Sequence, residues 1–337
     1  MNVGESFALR RIAAGPICRG IPTKIRRVPL PLAQPPAHER TSDLKQSAIR
    51  PIDAPRPLAF WHLASLDAPT VAVVWPLAFA KAAGIYLPAW VPLLLALVTW
   101  SVYVGDRLLD TRAGMRSPSL HALRERHYFH WRFRRILLPL AVVAAGVAAT
   151  LILVFMPVAA RERNSVLAAA ALAYFCGVHA KPWPARSASL FRPPKRAKEF
   201  LVALLFTTGT ILPVASRIHF SADSGPVLLA LWIQAIYFTA LAFLNCCCIA
   251  QWEAGLTQDS PLLRSGIFAA ALLLAFSGLL LALVCLGIAS HSAALLAAGA
   301  ASALLLAMLH LARDHFTPLA LRATADLVLI TPLLLLL

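Results

Sequence analysis

Two carboxylates one helical turn apart dominate the chemistry written into this chain. They are Asp106 and Asp110 of the string DRLLD, at the end of an otherwise apolar run. If a helix continues through them, residues i and i+4 share a face and the two acids project from it together. Acids beside hydrocarbon are costly unless they face water, pair with cations or bind metal, so the pair reads as a functional site. Magnesium suits it, because the ion takes one or two carboxylates, keeps several waters and accepts phosphate oxygens of a substrate. The competing reading has the acids pairing with Arg107, Arg112 or another loop arginine where the helix meets the interface.

Basic residues crowd the same neighbourhood. Arg107, Arg112, Arg116, Arg124, Arg126, Arg132, Arg134 and Arg135 lie in or after the acid-bearing segment, and Lys181, Arg186, Arg192, Lys195, Arg196 and Lys198 follow a later apolar run. A diphosphate bridged by magnesium, with cationic side chains on its far side, is the natural ligand of such a mouth. Lys198 and Arg112 are the expected phosphate contacts, and for Lys198 a snorkelling anchor is the alternative. An apolar remainder of the ligand would gain about 0.8 kcal/mol per buried CH2 among the helices, which describes an isoprenyl diphosphate. Tyr103, Trp100, Tyr237 or Trp252 could present an aromatic face to an allylic cation.

Other chemistry-bearing residues read as structural. His121, His127 and His130 sit among arginines that would repel a metal ion, and interfacial aromatic residues account for their pattern. Of the six cysteines, Cys176, Cys246, Cys247, Cys248 and Cys285 lie inside apolar runs and read as packing residues. Consecutive cysteines diverge by about 100° around a helix and do not converge on one ion.

These groups must be positioned by a membrane bundle. Hydrophobic residues make up 59% of the 337 and charged residues 14%, and the mean hydropathy is +0.72, outside the soluble globular range. About nine apolar runs are long enough to cross a bilayer as helices, near 68–87, 89–105, 136–157, 164–180, 199–216, 226–250, 263–288, 291–312 and 319–337. The expected fold is therefore an all-α polytopic bundle spanning 61–337, with an interfacial amphipathic helix near 119–134 that turns its basic side to lipid phosphates or an anionic substrate. The formal charge of +16 is sorted by loop, which argues for membrane topology and against nucleic-acid binding. Basic loops on one side put the acids and the N-terminus toward the cytoplasm, and the expected location is a bacterial inner membrane. Residues 1–60, rich in Pro and Arg, read as a disordered tail, with a transit peptide or a misassigned start as alternatives. No apolar core follows the early charges, so no secretory signal peptide is expected.

DRLLD resembles the later part of the aspartate-rich motif of UbiA-type intramembrane prenyltransferases, Asn-Asp-x-x-Asp-x-x-x-Asp at the end of the second of nine membrane helices. Asp106 and Asp110 match its second and third aspartates, while its opening Asn-Asp falls on Val102 and Tyr103. Leu66, Asp67, Pro69, Trp75 and Pro76 resemble the family's opening helix, with Ser65 where the family has arginine. Tyr174 and Lys181 are similar to a Tyr-x-x-x-Lys element after the fourth span, at a different spacing. The family's second aspartate-rich motif corresponds to FLNCCCIAQWEAGLTQD, where Asn245 stands for the leading aspartate, Glu253 lies beside the later position and Asp259 is further on. Asn245 and Glu253 lie about 80° apart on a helix, so they share a broad face without stacking. The resemblance implies magnesium-dependent transfer of a prenyl group from a prenyl diphosphate to an aromatic or lipid acceptor. Asp106, Asp110 and Glu253 would hold metal, with Asn245 completing the second site, and Lys198, Arg112, Lys181, Tyr103 and Tyr174 would contact substrate. The departures from the motif leave open a member that binds an isoprenoid or lipid without transfer. A transporter using the acids as a proton or cation relay is a further alternative.

Overall fold

In hydrocarbon a chain satisfies its own N–H and C=O groups most simply as helices, and here the long apolar runs do so. The computed structural model describes residues 52–116, 124–179, 196–218, 225–254, 261–287 and 290–337. Among them are α1 (Arg56–Leu63), α2 (Asp67–Ala82), α3 (Trp90–Arg116), α4 (Glu125–Arg132), α5 (Arg134–Phe155) and α6 (Val158–His179). The second half contributes α7 (Ala197–Ala215), α8 (Gly225–Ala254), α9 (Pro261–Leu286), α10 (Ser290–Ala312) and α11 (Pro318–Val328), followed by a 3-10 segment at Thr331–Leu335. No strand occurs among the described residues.

Seven of these segments are long and apolar enough to cross a membrane, or eight if α1 and α2, bent by 88°, count as one broken span. The protein is a multi-pass membrane protein with an all-α fold. The expected span at 164–180 corresponds to α6, which is helical but outside that set, since Arg161, Glu162 and Arg163 occupy its first turns. The expected last span is α11 together with its 3-10 extension. Of the expected amphipathic segment, α4 is the described helix; residues 117–123 and the tail before residue 52 lie outside the described residues.

On α5 small residues face the neighbouring helices and large ones face outward: Ala141, Ala144 and Ala148 are buried while Val142, Val143, Leu153, Val154 and Phe155 are exposed. The small face lets α5 approach α3 closely enough for Ser101 Oγ to donate to the Ala141 carbonyl at 3.1 Å, as small residues do where lipid removes the hydrophobic drive between helices. On α9, Leu273, Phe276, Leu280 and Leu283 face outward. A single large aromatic knot forms the centre: Trp75 of α2 stacks on Phe238 of α8 at 3.8 Å, with Phe79 and Phe206 against the same ring. The Trp75 indole N–H donates to the Leu329 carbonyl at 2.9 Å, across 254 residues of sequence, and so ties α2 to the end of α11.

The seam of α8, α9 and α10 depends on two glycines. Tyr237 lies between Gly278 and Gly299, and its hydroxyl donates to the Leu274 carbonyl at 3.0 Å. A β-carbon on Gly299 would stand 2.6 Å from Tyr237 Cε1. Ser302 on α10 donates to the Val328 carbonyl at 2.8 Å, and Thr331 donates to the Ala298 carbonyl at 2.8 Å, which pins the final segment to α10. At the other end of α10, the Ile52 N–H donates to His315 O at 2.7 Å and the Thr317 N–H donates to Ile52 O at 3.0 Å.

Candidate functional site

The polar end of the bundle begins with a bend. Between α1 and α2, Ser65 adopts φ 57°, a left-handed conformation that non-glycine residues rarely take. The turn it makes brings His62 on α1 against Asp67 on the first turn of α2, with Nδ1 to Oδ2 at 2.7 Å. Both side chains are nearly inaccessible to solvent. From α11, Asp326 Oδ2 lies 3.6 Å from the same imidazole nitrogen, and Asn245 of α8 donates through Nδ2 to Asp326 Oδ1 at 3.2 Å. Four helices thus contribute to one buried polar cluster. Among the described residues, one set of three potential metal ligands has ligand atoms within 4.8 Å of one another, and it is His62, Asp67 and Asp326.

A second cluster adjoins it at the ends of α4, α8 and α11. Glu253 Oε1 is 2.7 Å from Arg126 and 3.3 Å from Arg124, and it also pairs with Arg322. Arg124 reaches the Glu253 carbonyl as well, at 2.8 Å. One carboxylate therefore organises three guanidiniums and leaves net positive charge. Burial and the neighbouring charges of Arg322 and Arg107 bring the Arg126 guanidinium down to about 10. A cleft of about 340 Å³ opens beside this cluster, with Arg124, Arg322, Arg313, Glu253, Gln251 and Trp252 in its wall. The Trp252 indole donates to His310 Nδ1 at 3.1 Å, and His310 Nε2 lies 3.2 Å from the Arg264 carbonyl; a neutral imidazole protonated on Nε2 satisfies both contacts.

The histidines of α4 face inward. The Arg124 N–H donates to His127 Nδ1 at 3.0 Å, so the ring serves as an acceptor closing the first turn of α4. Burial, then the charges of Arg126 and Arg107, push the imidazole down to about 4, consistent with that neutral role. His130 is fully buried, with Nδ1 2.8 Å from the Arg126 carbonyl and Nε2 3.2 Å from Ser65 Oγ. Burial lowers its pKa as well. His130 thereby braces the strained residue of the α1–α2 bend.

The acids of DRLLD lie on the last turns of α3, which runs unbroken through both. Arg107, between them in sequence, is buried; its guanidinium is 3.9 Å from Asp106 Oδ2 and within electrostatic reach of Asp67. Tyr103 stands one turn before, its ring 5.8 Å from the Arg107 guanidinium and within electrostatic reach of Asp67 and Asp326. Tyr174 on α6 is in reach of Asp106 and Cys246.

The structure therefore joins some of the residues singled out from sequence and separates others. Tyr103, Tyr174, Asp106 and Arg107 interact around the end of α3, and Asn245 lies in the His62 cluster. Glu253 is engaged by arginines. Arg112 on α3 and Lys198 on the first turn of α7 are exposed. Trp252 lines the cleft, whereas Tyr237 is committed to the α8–α10 seam and the Trp100 indole donates to the Ala64 carbonyl at 3.0 Å. Cys247 and Cys248 are buried in the packing of α8. Lys181, His121 and Asp259 lie outside the described residues.

His62, Arg322 and Asp326 were not anticipated. A signal for two of them exists, because Arg322 and Asp326 are an i, i+4 pair of ionisable residues inside the final apolar run, where charge is costly unless used. Compared with family models, curated proteins and solved structures, the chain matches none.

Proposed function

We propose that this protein is a UbiA-like membrane enzyme that transfers a prenyl group from a prenyl diphosphate to an aromatic or lipid acceptor, with magnesium and with its site toward the cytoplasm. The observation that carries the reading is the meeting of two opposite chemistries at one end of an apolar bundle. Asp106 and Asp110 lie in the C-terminal turns of α3, and Arg124, Arg126 and Arg322 gather on Glu253 beside a cleft. The two aspartates fit magnesium, being carboxylates one turn apart with Asp106 still partly open to solvent, which leaves room for water and phosphate oxygens. Glu253 does not fit as a third ligand, since its carboxylate is already occupied by guanidiniums; its role is to hold those arginines in place for an anionic leaving group. When bound, the metal would neutralise charge developing on the departing diphosphate. Arg124 and Arg322 would bind phosphate oxygens from the cleft wall, and Trp252 would offer an apolar face there.

A second reading has its own observation. Val102 and Tyr103 occupy the positions where the resembled motif opens with Asn-Asp, and Glu253 is held by arginines, so the metal-binding apparatus is thinner than that resemblance implies. In this reading the protein binds an isoprenoid or lipid without transferring it.

Incubating membranes that contain the protein with labelled prenyl diphosphates, magnesium and lipid extract separates the two. Transfer expects a labelled lipid product that disappears in Asp106→Ala. Retention of a separately added labelled isoprenoid alcohol, equal in Asp106→Ala and with no product formed from the diphosphates, favours the second reading and ends the first.

A further inference from the structure

The His62 cluster is chemically distinct from the DRLLD acids and is not used by the reaction proposed above. Its donors come from four helices, with His62, Asp67 and Asn245 buried and Asp326 half-buried, and they differ in kind: an imidazole nitrogen, two carboxylates and a carboxamide. Placing two acids and an imidazole out of water is expensive unless charge and hydrogen bonding are both satisfied. The direct contacts leave a remainder. The buried oxygen of Asn245, Oδ1, has no hydrogen-bond partner, although the nitrogen of the same amide contacts Asp326. His62 Nδ1 is approached by two carboxylate oxygens, at 2.7 and 3.6 Å. A single proton on Nδ1 would have to serve both acids and would leave the amide oxygen unmet.

We infer that His62, Asp67, Asp326 and Asn245 form a binding site for a divalent first-row transition ion. Ligand atoms about 2.0 to 2.2 Å from a common ion stand roughly 3 Å apart around it, and the observed separations bracket that spacing. A half-turn of the Asn245 amide would direct its orphaned oxygen to the place its nitrogen now occupies beside Asp326, a choice open to any carboxamide. One imidazole with carboxylate and amide oxygens suits manganese, iron, cobalt or zinc, whereas magnesium and calcium favour all-oxygen sets. Two carboxylates and a neutral imidazole carry two negative charges, which the ion cancels, so Arg107 and Arg322 remain available to Asp106 and Glu253. The ion would fix α1, α2, α8 and α11 to one another at the end of the bundle where the arginines gather.

The test uses the full chain in lipid nanodiscs, stripped with chelator and titrated with Mn2+. The expected result is a tight Mn2+ site that persists in the Asp106→Asn/Asp110→Asn double variant, which separates this site from the proposed catalytic one. Asn245→Leu should weaken binding by about tenfold to a hundredfold, and Asp326→Asn or His62→Gln by more. Pulsed electron paramagnetic resonance on the wild-type chain supplies a readout independent of variant folding. Coupling of the bound Mn2+ to a histidine nitrogen is expected, and labelling histidine with 15N should change the coupling frequency. Absence of a retained ion, bound Mn2+ without nitrogen coupling, or affinity unchanged in both His62→Gln and Asp326→Asn overturns the assignment.

Discussion

Two ionisable pairs with the same spacing meet different fates in this molecule. Asp106 and Asp110 stand in the C-terminal turns of α3, and Asp106 keeps about a third of its side-chain surface open, at 34%. Arg322 and Asp326 stand at the same i, i+4 interval on α11 and are each 17% exposed, drawn into contact with Glu253 on one side and His62 on the other. Spacing puts each pair on one helical face, but the neighbouring helices decide what that face does. An acid that retains water can exchange ligands, whereas one enclosed by opposite charges and amides becomes part of the architecture. On the proposed function, magnesium exchange belongs to the acids of α3, while the α11 pair holds its charged neighbours in place.

The sharpest way to break that division is to neutralise each side and watch both readouts. Asp106→Asn should lower magnesium-dependent prenyl transfer by at least about a hundredfold, the several kcal/mol expected when a metal clamp is lost. Its thermal unfolding in detergent should move little, since a partly exposed charge contributes about 1 kcal/mol or less. A large loss of stability in this variant would erase the distinction. Glu253→Ala should do the reverse in kind, costing about 3 kcal/mol by leaving Arg124, Arg126 and Arg322 without their common partner. Denaturation that matches wild type would show that the arginines are satisfied elsewhere.

A smaller effect is expected away from both pairs. Gly299→Ala drives a methyl group into Tyr237 and should cost about 1 to 3 kcal/mol as overpacking, while transfer per folded molecule stays at the wild-type level. Impaired transfer would mean that the α8–α10 seam communicates with the polar end.

The smallest effect concerns pH. The folded value of His127, near 4, lies below the ordinary value of about 6.5, so between those limits the unfolded chain binds the extra proton. Stability should therefore fall as pH drops from about 6.5 toward 4, and the difference between wild type and His127→Gln should shrink over that window. A difference that grows on acidification would mean that His127 is protonated when folded.

Much of the bundle was legible before any coordinates, for reasons confined to local sequence. Apolar runs long enough to cross a bilayer mark α3, α5, α7, α8, α9 and α10 directly, and DRLLD marks where α3 turns polar. What stayed hidden arises from encounters between distant segments. No local pattern announces that Ser65 will turn left-handed and swing His62 onto Asp67, or that α11 will return to place Asp326 beside both. The string around Glu253 does not announce the arginines that engage it, because they come from 124, 126 and 322. Asp326 was the recoverable omission: a lone acid in the last apolar run deserved the same question as Asp106. At α6 the expected span began at 164, after Arg161 and Arg163, whereas the helix starts at Val158 and takes those charges into its first turns.

The contact between Trp75 and Leu329, 254 residues apart, has a consequence for how the protein is made. The first helices enter the membrane carrying His62, Asp67 and an indole N–H whose partners are not yet synthesised. Until α11 emerges, those groups must be sheltered by water, lipid headgroups or the insertion machinery. Assembly of the polar end therefore waits for α11. A chain arrested before α11 would hold His62, Asp67 and the Trp75 indole without the partners that α11 supplies.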